Sequence, residues 1–166
     1  MENVSINKSI RLSEHITLGE VTKSSHTEIN NIPSHVAIEN LKRVCVWLED
    51  LRFTYNSLYC LKPGEDYETS KNVEPIIINS GYRSPELNKK VGGAPTSNHL
   101  TGCAVDIHVA GIEQAMRYAV ILMDYADETK QDYDELLIER SPHGNYWVHF
   151  AVRPKENRRK TMIIQT

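Results

Sequence analysis

Two strand-like segments on either side of a short turn constrain the fold of this chain more than any other feature. They cover residues 133–139 and 146–152, and Ser141-Pro142-His143-Gly144-Asn145 lies between them. Segments of this length that contain branched and aromatic residues, separated by serine, proline, glycine and asparagine, are typical of a β-hairpin. The sequence therefore predicts a β-sheet in the C-terminal half of the chain.

A long amphipathic segment at residues 34–59 predicts the main helix of the fold. Charged residues lie mostly between apolar residues that recur at roughly helical spacing, namely Val36, Ile38, Leu41, Val44, Val46, Trp47 and Leu51. Such a helix is the expected partner for the sheet. A second helix is expected at residues 112–127, strands at 75–79 and 104–109, and an edge strand at 162–164. Thr17, with Glu20 three residues later, predicts the capped start of a short helix.

Size and charge limit the classes of protein to which the chain can belong. Its 166 residues are the usual length of one domain, so we expect a single domain over residues 1–166. The net charge is -3 and no long basic run is present, which argues against nucleic acid as a partner. No stretch is long and apolar enough to cross a membrane, and residues 1–14 lack the apolar core of a secretory signal.

The three cysteines predict a protein made in a reducing compartment. Cys45, Cys60 and Cys103 are odd in number and irregular in spacing, unlike a disulfide framework. We therefore expect synthesis in the cytoplasm, so that any action on a cell wall would require release by another agent.

The segment Ser97-Asn98-His99-Leu100-Thr101-Gly102-Cys103-Ala104-Val105-Asp106 is the strongest candidate for a metal site. His99 ends a glycine-rich loop, Asp106 lies on the strand that follows, and Gly102 lets the chain turn between them. A catalytic zinc ion takes three protein ligands and leaves a position for water. His149 is the best third candidate, because it is a lone polar residue in an apolar strand.

The residues alone leave other interpretations open. A histidine and an aspartate seven positions apart are common by chance, and a lone histidine in a strand is more often structural than a ligand. His108 should share a strand face with Asp106 and is an alternative ligand. Cys103 also adjoins these residues, but its odd separation from Asp106 predicts a small core residue.

The wider pattern resembles the zinc D-alanyl-D-alanine carboxypeptidase family. The motif Ser97-x-His99-x-x-Gly102-x-Ala104-x-Asp106 looks like its signature, and further similar segments are Ser80-Gly81-Tyr82-Arg83-Ser84, Val91-Gly92-Gly93, Trp147-Val148-His149 and Asn157-Arg158-Arg159. The segments Ile16-Thr17-Leu18-Gly19-Glu20 and Asn31-Ile32-Pro33 look like the phage and prophage branch. The resemblance covers most of the chain.

The resemblance implies a site and a fold. The metal ligands would be His99, Asp106 and His149, holding one zinc ion per chain. Arg83 matches the arginine that contacts substrate near the scissile bond, and Ser97 would orient a ligand or touch substrate, although a loop-capping role is as well supported. The implied fold is α+β, with an antiparallel sheet carrying the zinc ligands and helices packed on one side, as in hedgehog-like zinc domains. The family pattern gives His108 no ligand role.

The sequence departs from the family pattern at the position of the general base. Many relatives carry an acidic residue or a histidine a few positions before the last ligand. Tyr146 stands three positions before His149 and cannot act as a base near neutral pH, so Glu139 and His143 remain. If the hairpin pairs about His143, Glu139 lies opposite Trp147 and on the His149 face. A slip of one residue would turn Glu139 away and favour His143.

Three functional hypotheses follow from the resemblance. The chain is an endolysin-like endopeptidase that cuts peptidoglycan stem peptides, or a D-alanyl-D-alanine carboxypeptidase or cytoplasmic D,D-dipeptidase, or a zinc-stabilised peptidoglycan-binding module without turnover. Glu139 and Arg83 favour an enzyme. We expect a monomer that is made without a signal peptide and reaches the wall after release, as a phage or prophage lysin does.

Overall fold

The computed structural model describes residues 7–166, which form four α-helices and one five-stranded sheet. In chain order these are α1 (Leu18–Thr22), α2 (His35–Tyr59), β1 (Ile78–Ser80), α3 (Pro85–Lys90), β2 (Ala104–His108), α4 (Ile112–Thr129), β3 (Glu135–Arg140), β4 (Tyr146–Ala151) and β5 (Lys160–Gln165). The predicted α+β class is confirmed. None of these helices has the length and apolar character that a bilayer span requires. The prediction for residues 1–14 falls partly on residues 1–6, outside the described residues.

The two N-terminal helices begin at side-chain caps that the sequence provides. At α1 the Thr17 hydroxyl accepts a hydrogen bond from the backbone N–H of Glu20, whose carboxylate accepts one from the Thr17 N–H at 2.8 Å. This is the predicted capping pair. The long helix α2 starts after Ser34, whose hydroxyl accepts a hydrogen bond from the Ala37 N–H at 3.2 Å. Both caps satisfy N–H groups that a helix start leaves without partners.

The buried stripe of α2 is narrower than the sequence pattern indicated. Fully buried positions follow one helical face and are Leu41, Val44, Cys45, Leu48 and Leu51. Val36 and Val46, which were counted with the apolar stripe, are 69% and 55% exposed, so the prediction was wrong for these two positions. Both fall outside the buried face, because a helix turns only one face toward a sheet.

The sheet has the strand order β1-β2-β4-β3-β5 and is antiparallel except at one edge. The strands β2 and β4, which carry the predicted ligands, pair antiparallel as expected, whereas β5 runs parallel to β3. The cause is the return of the chain: β4 ends at Ala151 opposite Glu135, and β5 begins at Lys160, also opposite Glu135. A strand that starts beside the start of β3 must run in the same direction.

The sheet has one core face and one face that carries polar groups. Four buried residues alternate along β2 and β4 toward the long helices: Val105, Ile107, Val148 and Phe150. The indole of Trp47 in α2 packs against Phe150 with ring centroids 5.3 Å apart. Each such side chain contributes about 1.5–3 kcal/mol when fully buried. Because side chains alternate along a strand, Asp106 and His149 fall on the opposite face.

Gly102 allows the chain to reverse between the loop and β2. Its φ of 73° is left-handed, and a Cβ placed there would lie 2.4 Å from the carbonyl oxygen of Ala37. Gly92 has nearly the same φ, 72°, but no atom lies within 4 Å of an added Cβ. An alanine at either position would strain the backbone, whereas only an alanine at Gly102 would also clash with a neighbouring atom.

Gly102→Ala is expected to destabilise the protein more than Gly92→Ala. Left-handed strain costs about 1–2 kcal/mol at either position, and the conflict with Ala37 adds roughly 1–3 kcal/mol only at Gly102. Urea unfolding of both variants and the parent measures the two free energies. Equal losses would show that α2 moves aside without penalty.

Candidate metal centre

Asp106 and His149 meet because β2 and β4 place them directly opposite each other. Their Cα atoms are register partners, and the His149 Nδ1 atom lies 2.9 Å from Asp106 Oδ1. Both side chains are largely withdrawn from solvent, with 13% of the Asp106 side chain and 10% of the His149 side chain exposed. A buried carboxylate beside a buried imidazole needs such partners, and both residue types are zinc ligands.

His99 reaches the same point from a short 3-10 turn at Asn98–Thr101. The Ser97 hydroxyl caps this turn by accepting a hydrogen bond from the His99 N–H, and the backbone carbonyl of His99 accepts one from the Arg83 N–H at 3.1 Å. His99 Nδ1 lies 2.6 Å from the carbonyl oxygen of Gly81, and Nε2 lies 3.3 Å from Asp106 Oδ1. Because a carbonyl only accepts, Nδ1 carries a proton, and Nε2 is the ring nitrogen left to bind a metal ion beside Asp106.

The three side chains fit a single metal ion. One ligand atom from each of His99, Asp106 and His149 lies within 4.8 Å of the other two. Ligand atoms on a tetrahedral zinc ion, with bonds of about 2.0–2.1 Å, are roughly 3.3 Å apart. The measured separations of 2.9 Å and 3.3 Å are close to this value. The donor set, two imidazoles and one carboxylate, suits a catalytic zinc site that has room for water.

Arg83 holds the second oxygen of the aspartate. Its guanidinium NH2 lies 2.7 Å from Asp106 Oδ2, and its Nε donates to the Ser80 hydroxyl at 2.9 Å. The carboxylate is thereby divided: Oδ1 faces the histidines and Oδ2 faces the arginine. Arg83 is therefore part of the centre and not an isolated surface ion pair, since only 17% of its side chain is exposed.

The charged groups at the centre shift one another's pKa values. Burial would raise the pKa of Asp106, but His99 and His149 outweigh it and lower that pKa. Burial would lower the pKa of His149, but the hydrogen bond to Asp106 and the contact with Glu135 raise it to about 9. The site therefore strongly favours a cation beside the Asp106 carboxylate.

Two glutamates lie on either side of His149 on the same sheet face. Leu137 is opposite His149 and Glu139 is opposite Trp147, which is the predicted register. Glu135 lies two residues from Leu137 in the other direction, so both glutamates are diagonal neighbours of His149. Burial raises the pKa of Glu139. The contact with His149 is the main cause that lowers the pKa of Glu135, to about 2.

A buried ionic cluster lies beside the two chain segments that carry His99 and Glu135. Asp134 is fully buried, and Arg158 binds both of its oxygens, with Nε to Oδ1 at 2.8 Å and NH2 to Oδ2 at 2.7 Å. The Asn98 amide donates to Asp134 at 2.7 Å and accepts from Arg153 Nε at 3.0 Å. Asn98 precedes His99 in the chain, and Asp134 precedes Glu135. The cluster thus links the two segments that flank the centre.

The remaining candidates from the sequence lie away from the ligand atoms. His108 is exposed at the end of β2, and among the described residues the metal-binding group contains neither His108 nor Cys103. Cys103 is buried, which raises the pKa of its thiol. His143 is exposed in the hairpin turn. Ser97 has the loop-capping role, and a contact with substrate stays a prediction.

Sequence reasoning missed Glu135 and Asp134, and it named Arg158 only within a family-like segment, without a role. The hairpin register that pointed to Glu139 also places Glu135 beside His149, so this residue could have been found by counting two positions the other way. No sequence signal linked Asp134 with Arg158, because 24 positions separate them and their pairing depends on the return of the chain to β5.

Two imidazoles and one carboxylate that converge on the face of a sheet are a donor set that could hold one metal ion, as in mononuclear metallohydrolases. A family model described as Peptidase M15 matches residues 65–135, which include Arg83, His99 and Asp106. The resemblance to this zinc D-alanyl-D-alanine carboxypeptidase-like family is thereby confirmed over the matched residues, and it supports a metallopeptidase; the phage branch stays a prediction. His149 lies beyond the matched segment and joins the site through the sheet. A search of curated proteins found no match.

Asp134→Asn is expected to lower the free energy of unfolding by about 1.5–3 kcal/mol at neutral pH, the range for hydrogen bonds to charged groups. Burial raises the pKa of Asp134, but Arg158 and Asn98 outweigh it and lower that pKa. A lowered pKa contributes stability above the unfolded value of about 3.9, and this contribution is lost as the pH falls through the folded value. The difference from the parent should therefore shrink below about pH 4.

Denaturant unfolding across this pH range measures the effect, and Asp132→Asn is the matched control. Asp132 lies two positions away and pairs with Arg159 at the surface, so its replacement should leave stability unchanged. A pH-independent difference for Asp134→Asn would show that packing, and not charge, is responsible.

Proposed function

We propose that this chain is a single zinc peptidase domain that hydrolyses peptide bonds in the stem peptides of bacterial peptidoglycan. The observation that carries the proposal is the convergence of His99, Asp106 and His149 on one sheet face that also presents Glu139. The family match supports the peptidase chemistry and the cell-wall substrate. The chain would act on the wall after release, as a phage or prophage lysin does.

Zinc bound at this centre would polarise the scissile carbonyl and make water acidic enough to lose a proton near neutral pH. Glu139 is the proposed general base, which takes that proton and later delivers it to the leaving amine. It is better suited than Glu135, because burial raises the pKa of Glu139 whereas Glu135 is held ionised by His149 and Arg158. The observed register also disfavours His143, which lies in the exposed turn.

Arg83 is proposed to act on the substrate side of the same site. Its contact with Asp106 Oδ2 orients the carboxylate that would bind the ion. A guanidinium has five N–H donors in a planar fork, so the same group can also bind a substrate carboxylate or the developing oxyanion. Ser97 is proposed to help shape the substrate side of the loop that carries His99.

Zinc analysis tests the ligand set directly. The purified protein should contain about one zinc per chain, and X-ray absorption should show nitrogen and oxygen neighbours without sulfur. His149→Ala should lose the metal, because it removes one of three protein ligands. His108→Ala is the matched control, since His108 lies on the strand of Asp106 but outside the ligand group, and it should retain the metal. A zinc–sulfur distance in the spectrum would exclude this ligand set.

Digestion of purified peptidoglycan tests the activity. Mass spectrometry of the released muropeptides should show new peptide termini that disappear with a chelator and return with zinc. The position of the new termini distinguishes an endopeptidase from a carboxypeptidase or dipeptidase. Zinc-loaded protein that sediments with peptidoglycan but produces no termini would identify a binding module and overturn the proposal.

Glu139→Gln should retain zinc and fold but lose at least roughly a hundredfold in turnover, the low end for a positioned general base. The amide has nearly the same shape as the carboxylate but cannot accept the proton. His143→Ala should have a milder effect. Turnover of both variants on the same muropeptides decides between them: the opposite ranking, with zinc bound in both, would move the base to the turn.

A further inference from the structure

The two ring nitrogens of His149 face different carboxylates. Nδ1 lies 2.9 Å from Asp106 Oδ1, on the side where the metal ligands converge, and Nε2 lies 3.4 Å from Glu135 Oε2 on the far side of the ring. The second distance is longer than an ordinary N–H···O hydrogen bond, and a shift of roughly 0.5 Å would bring it into range. The imidazole of His149 therefore lies between a ligand and a second carboxylate.

Glu135 is held in this position by groups that are themselves anchored. Its Oε1 lies 3.0 Å from the guanidinium of Arg158, and its Oε2 accepts a hydrogen bond from the Asn98 amide at 3.1 Å. Arg158 is fixed in turn by the buried Asp134. Lys160 approaches Oε1 from the exposed side at 3.6 Å. Glu135 is only 17% exposed, so its carboxylate has little freedom to turn away from His149.

We infer that Glu135 is a positioning residue of the metal centre, which accepts the Nε2–H of His149 and leaves the Nδ1 lone pair facing the metal. The inference rests on the proposed zinc site. A carboxylate acceptor fixes the tautomer and the ring orientation of a ligating histidine and makes the other nitrogen a stronger donor to the metal. Glu139, on the other side of His149, is then left to act on water.

The same cluster couples the two histidine ligands. The Asn98 amide donates to both Asp134 and Glu135, and the residue after Asn98 is His99. His99 has its own acceptor in the Gly81 carbonyl. Each histidine thus has one partner that fixes its proton, a backbone carbonyl for His99 and a carboxylate for His149, and Asn98 joins the turn that carries His99 to Glu135.

Zinc affinity of Glu135 variants tests this role without reference to turnover. Competition against a chromophoric chelator should show about tenfold weaker zinc binding for Glu135→Gln, in which the amide oxygen still accepts but carries no charge. Glu135→Ala should bind zinc up to about a hundredfold more weakly, the upper end of the range for losing the hydrogen-bond partner of a metal ligand. Lys160→Ala is the matched control, because it removes an exposed partner of Glu135 and leaves His149 untouched.

A nitrogen-15 correlation spectrum of the zinc-loaded protein gives an independent readout. In the parent and in Lys160→Ala the proton of His149 should reside on Nε2, with slow solvent exchange, and in Glu135→Ala that exchange should become faster. Denaturant unfolding of the metal-free variants shows whether each one is folded. If Glu135→Ala is not folded, the zinc affinity and the spectrum of Glu135→Gln provide the test.

The outcomes separate this inference from the proposed function. Zinc binding by Glu135→Gln and Glu135→Ala as tight as in the parent, or a metal bond through His149 Nε2, would overturn the role of Glu135 alone. A parent protein that takes up no zinc would overturn both the inference and the proposed zinc peptidase.

Discussion

The pairing of Asp106 with His149 across β2 and β4 is the interaction on which the centre depends. Both side chains point to one sheet face because the two strands pair in a single register, and a shift of one residue would turn either ligand into the core. The core face fixes that register, since Val105, Ile107 and Phe150 must stay buried against the long helices. Hydrophobic burial on one face therefore positions the polar groups of the candidate metal site on the other.

Environment gives the two glutamates of β3 different chemistry. Both are diagonal neighbours of His149, yet Glu135 lies among His149, Arg158 and Asn98, and its pKa falls to about 2. Burial raises the pKa of Glu139. Pairs of carboxyl groups whose surroundings separate their pKa values in this way can divide a supporting role from an acid–base role. Position along one strand is enough to produce the difference.

Local pattern predicted most of the fold because helices and hairpins are encoded over short distances. The helix ending at Tyr59, the cap at Thr17, and the hairpin with Glu139 opposite Trp147 all follow from periodicity and turn chemistry. The parallel direction of β5 and the exposure of Val36 did not follow. Both depend on which elements pack together after the chain has folded, and periodicity does not contain that information.

Short-range pattern predicted the candidate ligand types, with His99 and Asp106 in one motif and His149 in an apolar strand, and it offered a hairpin register that places Glu139 near His149. How these side chains are held depends on contacts between segments that are distant in the chain. The Gly81 carbonyl behind His99, Arg83 on Asp106, and the cluster of Asp134 and Arg158 join positions 18 to 24 residues apart. Such contacts arise when separate segments are brought to one end of the sheet, because buried polar groups must then find partners wherever the fold places them.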